Sequence, residues 1–123
     1  MANPVNWFEI IGGSDPARLQ SFYRDLFGWK IDASNPMQYG MVTAEEGGIG
    51  GGVGSAPEGS PGHVTVYVDV DDPASYLARV EQLGGKTVTP PTEIPGFGVT
   101  FALFSDPEGH VIGLTKAGGG QQQ

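Results

Sequence analysis

His63-Val64-Thr65-Val66-Tyr67-Val68-Asp69-Val70-Asp71-Asp72-Pro73-Ala74 sets a strand and the start of a helix side by side. Valines at 64, 66, 68 and 70 alternate with His63, Thr65, Tyr67 and Asp69, the period-two pattern of a strand with one face turned to a core. Asp72 stands where a helix N-cap is wanted, and Pro73 takes the first helical position, where a missing N–H is harmless. Ala74, Leu77, Val80 and Leu83 continue at helical spacing until Gly84-Gly85 ends the run. The valine row is expected to pack beneath this helix, which leaves His63, Thr65 and Tyr67 on the opposite, concave face.

A copy of this unit lies 57 positions upstream. Asp15-Pro16-Ala17 falls on Asp72-Pro73-Ala74, Leu26 on Leu83, Gly28 on Gly85 and Thr43 on Thr100. Val5 to Ile11 is the first strand of that copy, broken by Gly12-Gly13-Ser14. Leu19, Phe22, Tyr23, Leu26 and Phe27 form one apolar helical stripe, and Gly28 stops it. Trp29 to Ile31, Gln38 to Thr43 and the glycine-rich Gly48 to Val53 are further strand candidates. In the second copy Lys86 to Thr89, Val99 to Phe104 and Val111 to Thr115 complete the set, with a turn at Asp106-Pro107-Glu108-Gly109. The expected fold is α+β: two βαβββ modules whose curved, mostly antiparallel strands form eight-stranded sheets with helices on the outer face. Module 1 covers 4–54, a Gly/Pro linker 55–61 and module 2 62–116, within one domain over 1–116; the Gly/Gln tail 117–123 is expected to be disordered.

Two registers are open for the first strand. Without a gap, Asn6 pairs with His63 and Glu9 lies beneath the helix, a poor place for a carboxylate. With a one-residue bulge near Gly12, Trp7 pairs with His63, Phe8 and Ile10 pack down, and Trp7 and Glu9 face the cavity; this register is preferred.

Composition narrows the function. The 123 residues hold no Cys, which excludes a disulfide scaffold, thiol redox chemistry and thiolate metal sites. Six Lys+Arg against 14 Asp+Glu give a net charge of -8, and no stretch supplies the cationic footprint that nucleic acid or an anionic membrane needs. No apolar run approaches the roughly 20 residues of a membrane span. Met1-Ala2-Asn3-Pro4 does not read as a secretory leader, so a cytoplasmic location is expected. The tract Gly47 to Gly52 lacks the following Lys and Ser/Thr of a phosphate loop. Ser60, Ser75 and Ser105 sit at turns or helix starts, without a nucleophile elbow. His110 reads as an exposed turn residue and Glu45-Glu46 as a solvated pair.

Asn6-Trp7-Phe8-Glu9-Ile10, Phe22-Tyr23 through Leu26-Phe27-Gly28-Trp29, and above all Asp106-Pro107-Glu108-Gly109-His110-Val111-Ile112-Gly113-Leu114 resemble the vicinal oxygen chelate superfamily. That group holds glyoxalases, extradiol dioxygenases and the fosfomycin- and bleomycin-resistance proteins. Its metal-dependent members carry a His, Gln or Glu on the first strand of each copy and a Glu on the last. The matching positions here are Trp7 and His63, then the neighbourhood of Gly51 and Gly113, so only His63 is a competent ligand. The resemblance therefore implies a metal-independent, homodimeric protein that binds or sequesters a small organic molecule in an aromatic-lined cleft. Trp7, Tyr67 and Phe101, with Trp29 as a further candidate, would stack on the ligand while Glu9, His63 and Thr65 orient it. No cofactor is expected and no catalytic residue is assigned. The alternative is a glyoxalase-like lyase or dioxygenase on a non-standard divalent metal, with His63 and Glu9 as the candidate ligands.

Overall fold

Both helices begin where the Asp-Pro pairs stand. The computed structural model describes residues 2–56, 61–94 and 96–117. Helix α1 runs Pro16–Phe27 behind Asp15, whose carboxylate accepts from the Arg18 N–H at 3.0 Å, and it ends at Gly28 in the left-handed region, φ +73°. Helix α2 runs Pro73–Gln82. Its Asp72 side chain makes no capping hydrogen bond, so the second cap is one of position only. Eight strands accompany them: β1 Val5–Gly12, β2 Ile31–Asp32, β3 Gly40–Val42, β4 Gly50–Ser55, β5 His63–Asp69, β6 Lys86–Ile94, β7 Val99–Ser105 and β8 Val111–Ala117. The chain thus carries the β-α-β-β-β order twice, an eight-stranded mixed, α+β fold.

By contact density the chain divides into two units, Asn6–Val66 and Met1–Val5 with Tyr67–Gln123. In the first, the hydrogen-bonded order is β2-β3-β4-β1, with β1 parallel to β4 and the other pairs antiparallel. In the second it is β5-β8-β7-β6, with β5 parallel to β8. The expected linker lies partly, at 57–60, and the expected disordered tail almost wholly, at 118–123, outside the described residues; Ser60 lies there too.

The packing departs from the hydrophobic pattern at four places. The valine row does not pack as one: Val68 and Val70 meet Leu77, Ala102 and Leu114, but Val64 is 73% exposed. Helix α2 starts three residues beyond Val70, and its apolar face engages the end of the strand and not its beginning. The opposite row is the more buried one, since Thr65 and Tyr67 are both buried. In α1 the apolar stripe is largely uncovered. Phe22, Leu26 and Phe27 are exposed, while the residue that is buried is Gln20, whose amide donates to the carbonyls of Val53 at 2.8 Å and Gln38 at 3.0 Å. Those two bonds allow the polar side chain its place. Finally, β6 continues through Pro90-Pro91 to Ile94, with register shifts on both sides of Thr89. It stands at the end of the strand order, where proline's missing donor is tolerated and irregularity discourages further pairing.

Candidate functional site

Alternate residues of β1 point to opposite faces. Phe8 marks the helix side: its ring meets Trp29 at a centroid distance of 5.3 Å, and Trp29 stacks on Tyr23 of α1 at 5.4 Å. Trp29 therefore belongs to the packing under α1, not to a ligand wall. Trp7 and Glu9 take the other face, the side the bulged register gives them.

That face is organised by Tyr39, which sequence reading did not single out. The Trp7 indole Nε1–H donates to the Tyr39 hydroxyl at 3.2 Å, and the hydroxyl donates to Glu9 Oε2 at 2.9 Å. Glu9 Oε1 in turn lies 3.5 Å from His63 Nε2, at the outer limit of a hydrogen bond. The Glu9 side chain is 17% exposed and that of His63 46%, so the carboxylate sits inside and the imidazole at the rim. Burial, and after it the Glu9 charge, push the Tyr39 phenol far above its ordinary pKa, and it stays a neutral donor.

Tyr39 is fixed by its own loop. The Asn35 side chain accepts from the Tyr39 N–H at 3.0 Å and donates to its carbonyl at 2.7 Å. Gln20 holds the preceding carbonyl, that of Gln38, a residue kept at φ +55°. The ring then lies over β4, where Gly52 and Gly54 leave room: a Cβ on Gly52 would collide with the Tyr39 phenol, and one on Gly50 would press on Trp7. On the other face a Cβ on Gly51 would collide with the Phe8 ring. The one sequence signal for this arrangement was the glycine tract itself. A strand without side chains must be covered by bulk from elsewhere.

The remaining expected site residues are placed as follows. Thr65 is buried on β5, in the same unit as Trp7, Glu9 and His63. Tyr67 belongs to the other unit, where its ring covers Gly113 so closely that a Cβ there would collide with it. Phe101 is half-buried on β7 between Thr92 and Thr115. His110 is exposed on its turn, with Nδ1 3.1 Å from Asp106 Oδ2. Asp106 also accepts the backbone N–H groups of Glu108 and His110; the His110 bond leads in holding its carboxyl below the ordinary value. The clefts at the start of α1 (Gly12, Ser14, Arg18, Phe22) and on α2 (Ser75, Tyr76, Arg79) contain none of the expected ligand-binding residues.

Glu9 and His63 approach one another, but among the described residues no group of three His, Cys, Asp or Glu could hold a metal ion. Catalytic metals ordinarily want three protein ligands and an open position.

A family model described as a glyoxalase-like domain matches residues 10–115. The anthracycline biosynthesis protein DnrV of Streptomyces peucetius is 30% identical over 129 residues, covering 91% of this chain and 46% of that protein. CFP32 of Mycobacterium tuberculosis, provisionally named a glyoxylase, is 28% identical over 113 residues, covering 89% and 42%. The chain thus spans about half the length of the curated relatives it matches. A solved member of the glyoxalase/bleomycin resistance protein/dioxygenase superfamily from Vibrio splendidus 12B01 superposes with a TM-score of 0.63 at 16% identity, covering 94% of this chain and 99% of that one. Among the described residues no helix is long and apolar enough to cross a membrane.

Proposed function

This chain belongs to the glyoxalase-like domain family, and from that premise we propose that it binds a small organic molecule without a metal, on the face formed by Trp7, Tyr39, Glu9 and His63. The observation that carries the reading is the occupancy of the last strands. Metal-dependent relatives are expected to project a carboxylate from the last strand of each copy. Here the space beside Gly51, Gly52 and Gly113 is filled by the rings of Phe8, Tyr39 and Tyr67. An acidic side chain at any of the three would have to displace an aromatic one. What remains is an indole and a phenol as apolar wall, with one carboxylate and one imidazole to orient a guest. DnrV, named for anthracycline biosynthesis, makes a polycyclic aromatic guest a reasonable first class to try.

The reading includes a homodimer in the cytoplasm. Phe22, Leu26 and Phe27, 56%, 58% and 58% exposed on α1, are one apolar surface among several that could serve it. Light scattering after size exclusion gives the oligomeric state directly. For the site, metal content of the purified protein is measured first, then thermal shift with nickel, zinc, manganese and ferrous iron, alongside His63→Ala. The expected result is no stoichiometric metal and no metal-dependent shift, with aromatic small molecules raising Tm in the wild type and not in Trp7→Ala. One equivalent of metal that His63→Ala removes would overturn the reading. It would favour the rival lyase or dioxygenase, for which the 3.5 Å approach of His63 to Glu9 is the supporting contact.

A further inference from the structure

Six residues on the outer side of α1 form two ridges that complement one another end to end, and what they imply rests on the homodimer reading above. Residues four apart line up along a helix, so the rows 17-21-25 and 18-22-26 run side by side. Arg18, Phe22 and Leu26 make the tall ridge, and Ala17, Ser21 and Asp25 the low one. All six are exposed, Phe22 at 56% and Leu26 at 58%, while the helix turns Gln20 to the interior. Among the described residues, neither the Arg18 guanidinium nor the Asp25 carboxylate has an ion-pair partner. The module itself does not require this surface. In the second copy, 57 positions on, Ser75, Arg79 and Gln82 stand in the places of Arg18, Phe22 and Asp25, and α2 forms without the aromatic ring or the opposed charges.

The two ridges fit each other when the helix meets a second copy of itself. Let two α1 helices run antiparallel about a twofold axis, with Arg18 opposite the partner's Asp25. The same register sets Phe22 opposite the partner's Ser21 and Leu26 opposite the partner's Ala17. Large side chains then face small ones, each charge faces its opposite, and every contact occurs twice. Sliding the helices by one turn puts Arg18 opposite the partner's Ser21 or Phe22 opposite the partner's Asp25, and both charge pairs are lost. The two Phe22 rings lie next to the axis, with a charge pair about 5 Å to either side along the helix. An apolar aromatic centre with charges at its rim is the usual anatomy of an interface.

We propose that the outer face of α1 is a homodimer interface, covered by the antiparallel α1 of a second copy, with Phe22 and Leu26 at its centre and reciprocal Arg18–Asp25 pairs fixing the register. Six residues a side are fewer than the roughly 20–30 of a standard interface, so the dimer is expected to be weak, with a micromolar or higher Kd. Sedimentation equilibrium from about 10 µM to about 1 mM measures it, and circular dichroism shows that each variant is folded. Phe22→Ser and Leu26→Ser each remove a contact twice per dimer and should raise Kd about tenfold or more. Arg18→Asp keeps the backbone N–H that Asp15 caps. It places like charges together across the axis, as Asp25→Arg does, and each should raise Kd about tenfold. The double variant Arg18→Asp/Asp25→Arg exchanges the charges and should return to within about threefold of wild type. A wild type that stays monomeric throughout would overturn the homodimer reading and this interface together. A dimer whose Kd ignores all four single variants would overturn the α1 assignment and leave the homodimer reading standing. Losses in the single charge variants that the double variant fails to recover would overturn the antiparallel register.

Discussion

Replacing Gly52 with alanine adds one methyl group where the Tyr39 phenol already lies. The β4 backbone at this position is not in the left-handed region, so the substitution carries no conformational strain of its own; alanine should even gain roughly 0.5–1 kcal/mol over glycine in a strand. The loss comes from the displaced ring. Tyr39 cannot slide along the strand, because Asn35 holds its backbone at two points and Gln20 holds the residue before it. Moving the hydroxyl breaks the bond to the Glu9 carboxylate, worth about 1.5–3 kcal/mol as a bond to a charged group, and the bond from Trp7, worth about 1 kcal/mol. The net expectation is a destabilisation of about 2–3 kcal/mol, or a fall in Tm of about 6–12 °C for a chain of this length. Urea unfolding followed by fluorescence measures it, with Gly13→Ala as the control, since a Cβ there meets nothing within 4 Å. A second arm removes the obstacle. In a Tyr39→Ala background the Gly52 substitution should be close to neutral, giving a coupling of about 2 kcal/mol. A Gly52→Ala protein within about 0.5 kcal/mol of wild type, or a cycle without coupling, would refute the claim that the glycine row exists to seat the tyrosine.

Three further expectations follow from the same structure. Asp15→Ala should cost about 1 kcal/mol by removing the bond to the Arg18 N–H. Asp72→Ala should stay within about 0.5 kcal/mol, because that side chain caps nothing, and thermal melts of the pair decide it. Gln20→Leu should destabilise by about 2–3 kcal/mol, since it leaves the buried Val53 carbonyl and the part-buried Gln38 carbonyl without their donor; chemical denaturation reads the loss, and a neutral result would mean that water reaches both oxygens. For pH, Tyr39 is raised from its ordinary value of 10.0, so its neutral form is favoured in the folded state. That contribution is complete below about pH 10 and is lost as pH rises further, at up to about 1.4 kcal/mol per unit. Unfolding free energies between pH 9 and 11 should fall more steeply in wild type than in Tyr39→Phe, and parallel slopes would remove Tyr39 as the cause.

The elements were legible because their signals are local. Asp-Pro pairs at 15–16 and 72–73 and glycines after the helical stripes mark starts and stops within a few residues of the event, and α1 and α2 obey them. What a helix covers is not local. Val64 continues the valine alternation and is still exposed, while Gln20 breaks the α1 stripe and is buried. Hydrophobic periodicity ranks faces by their average, whereas a single polar residue with two backbone acceptors waiting for it can win the interior. The site divides the same way. Trp7 and Glu9 could be placed on one face from strand alternation, and His63 followed from the repeat. Tyr39 could not, because its contacts with Trp7 and Glu9 lie 32 and 30 positions away and its sequence neighbours are turn-forming residues.

The two copies nonetheless arrive at one device by different routes. In the first, a tyrosine from the segment before β3 lies over a glycine of the last strand; in the second, a tyrosine of the first strand does so, Tyr67 on Gly113. In both, the space that a last-strand side chain would fill holds an aromatic ring, and the glycine is the condition for it. An acidic residue introduced at Gly52 or Gly113 would therefore not enter open space. It would first expel a ring: at Gly52 the hydrogen-bonded tyrosine that orders Glu9, at Gly113 a side chain buried to 6% exposure. A last-strand side chain and the aromatic ring thus compete for the same volume. Placing a carboxylate there would take a paired substitution in each copy, a glycine to an acid together with its tyrosine to a small residue.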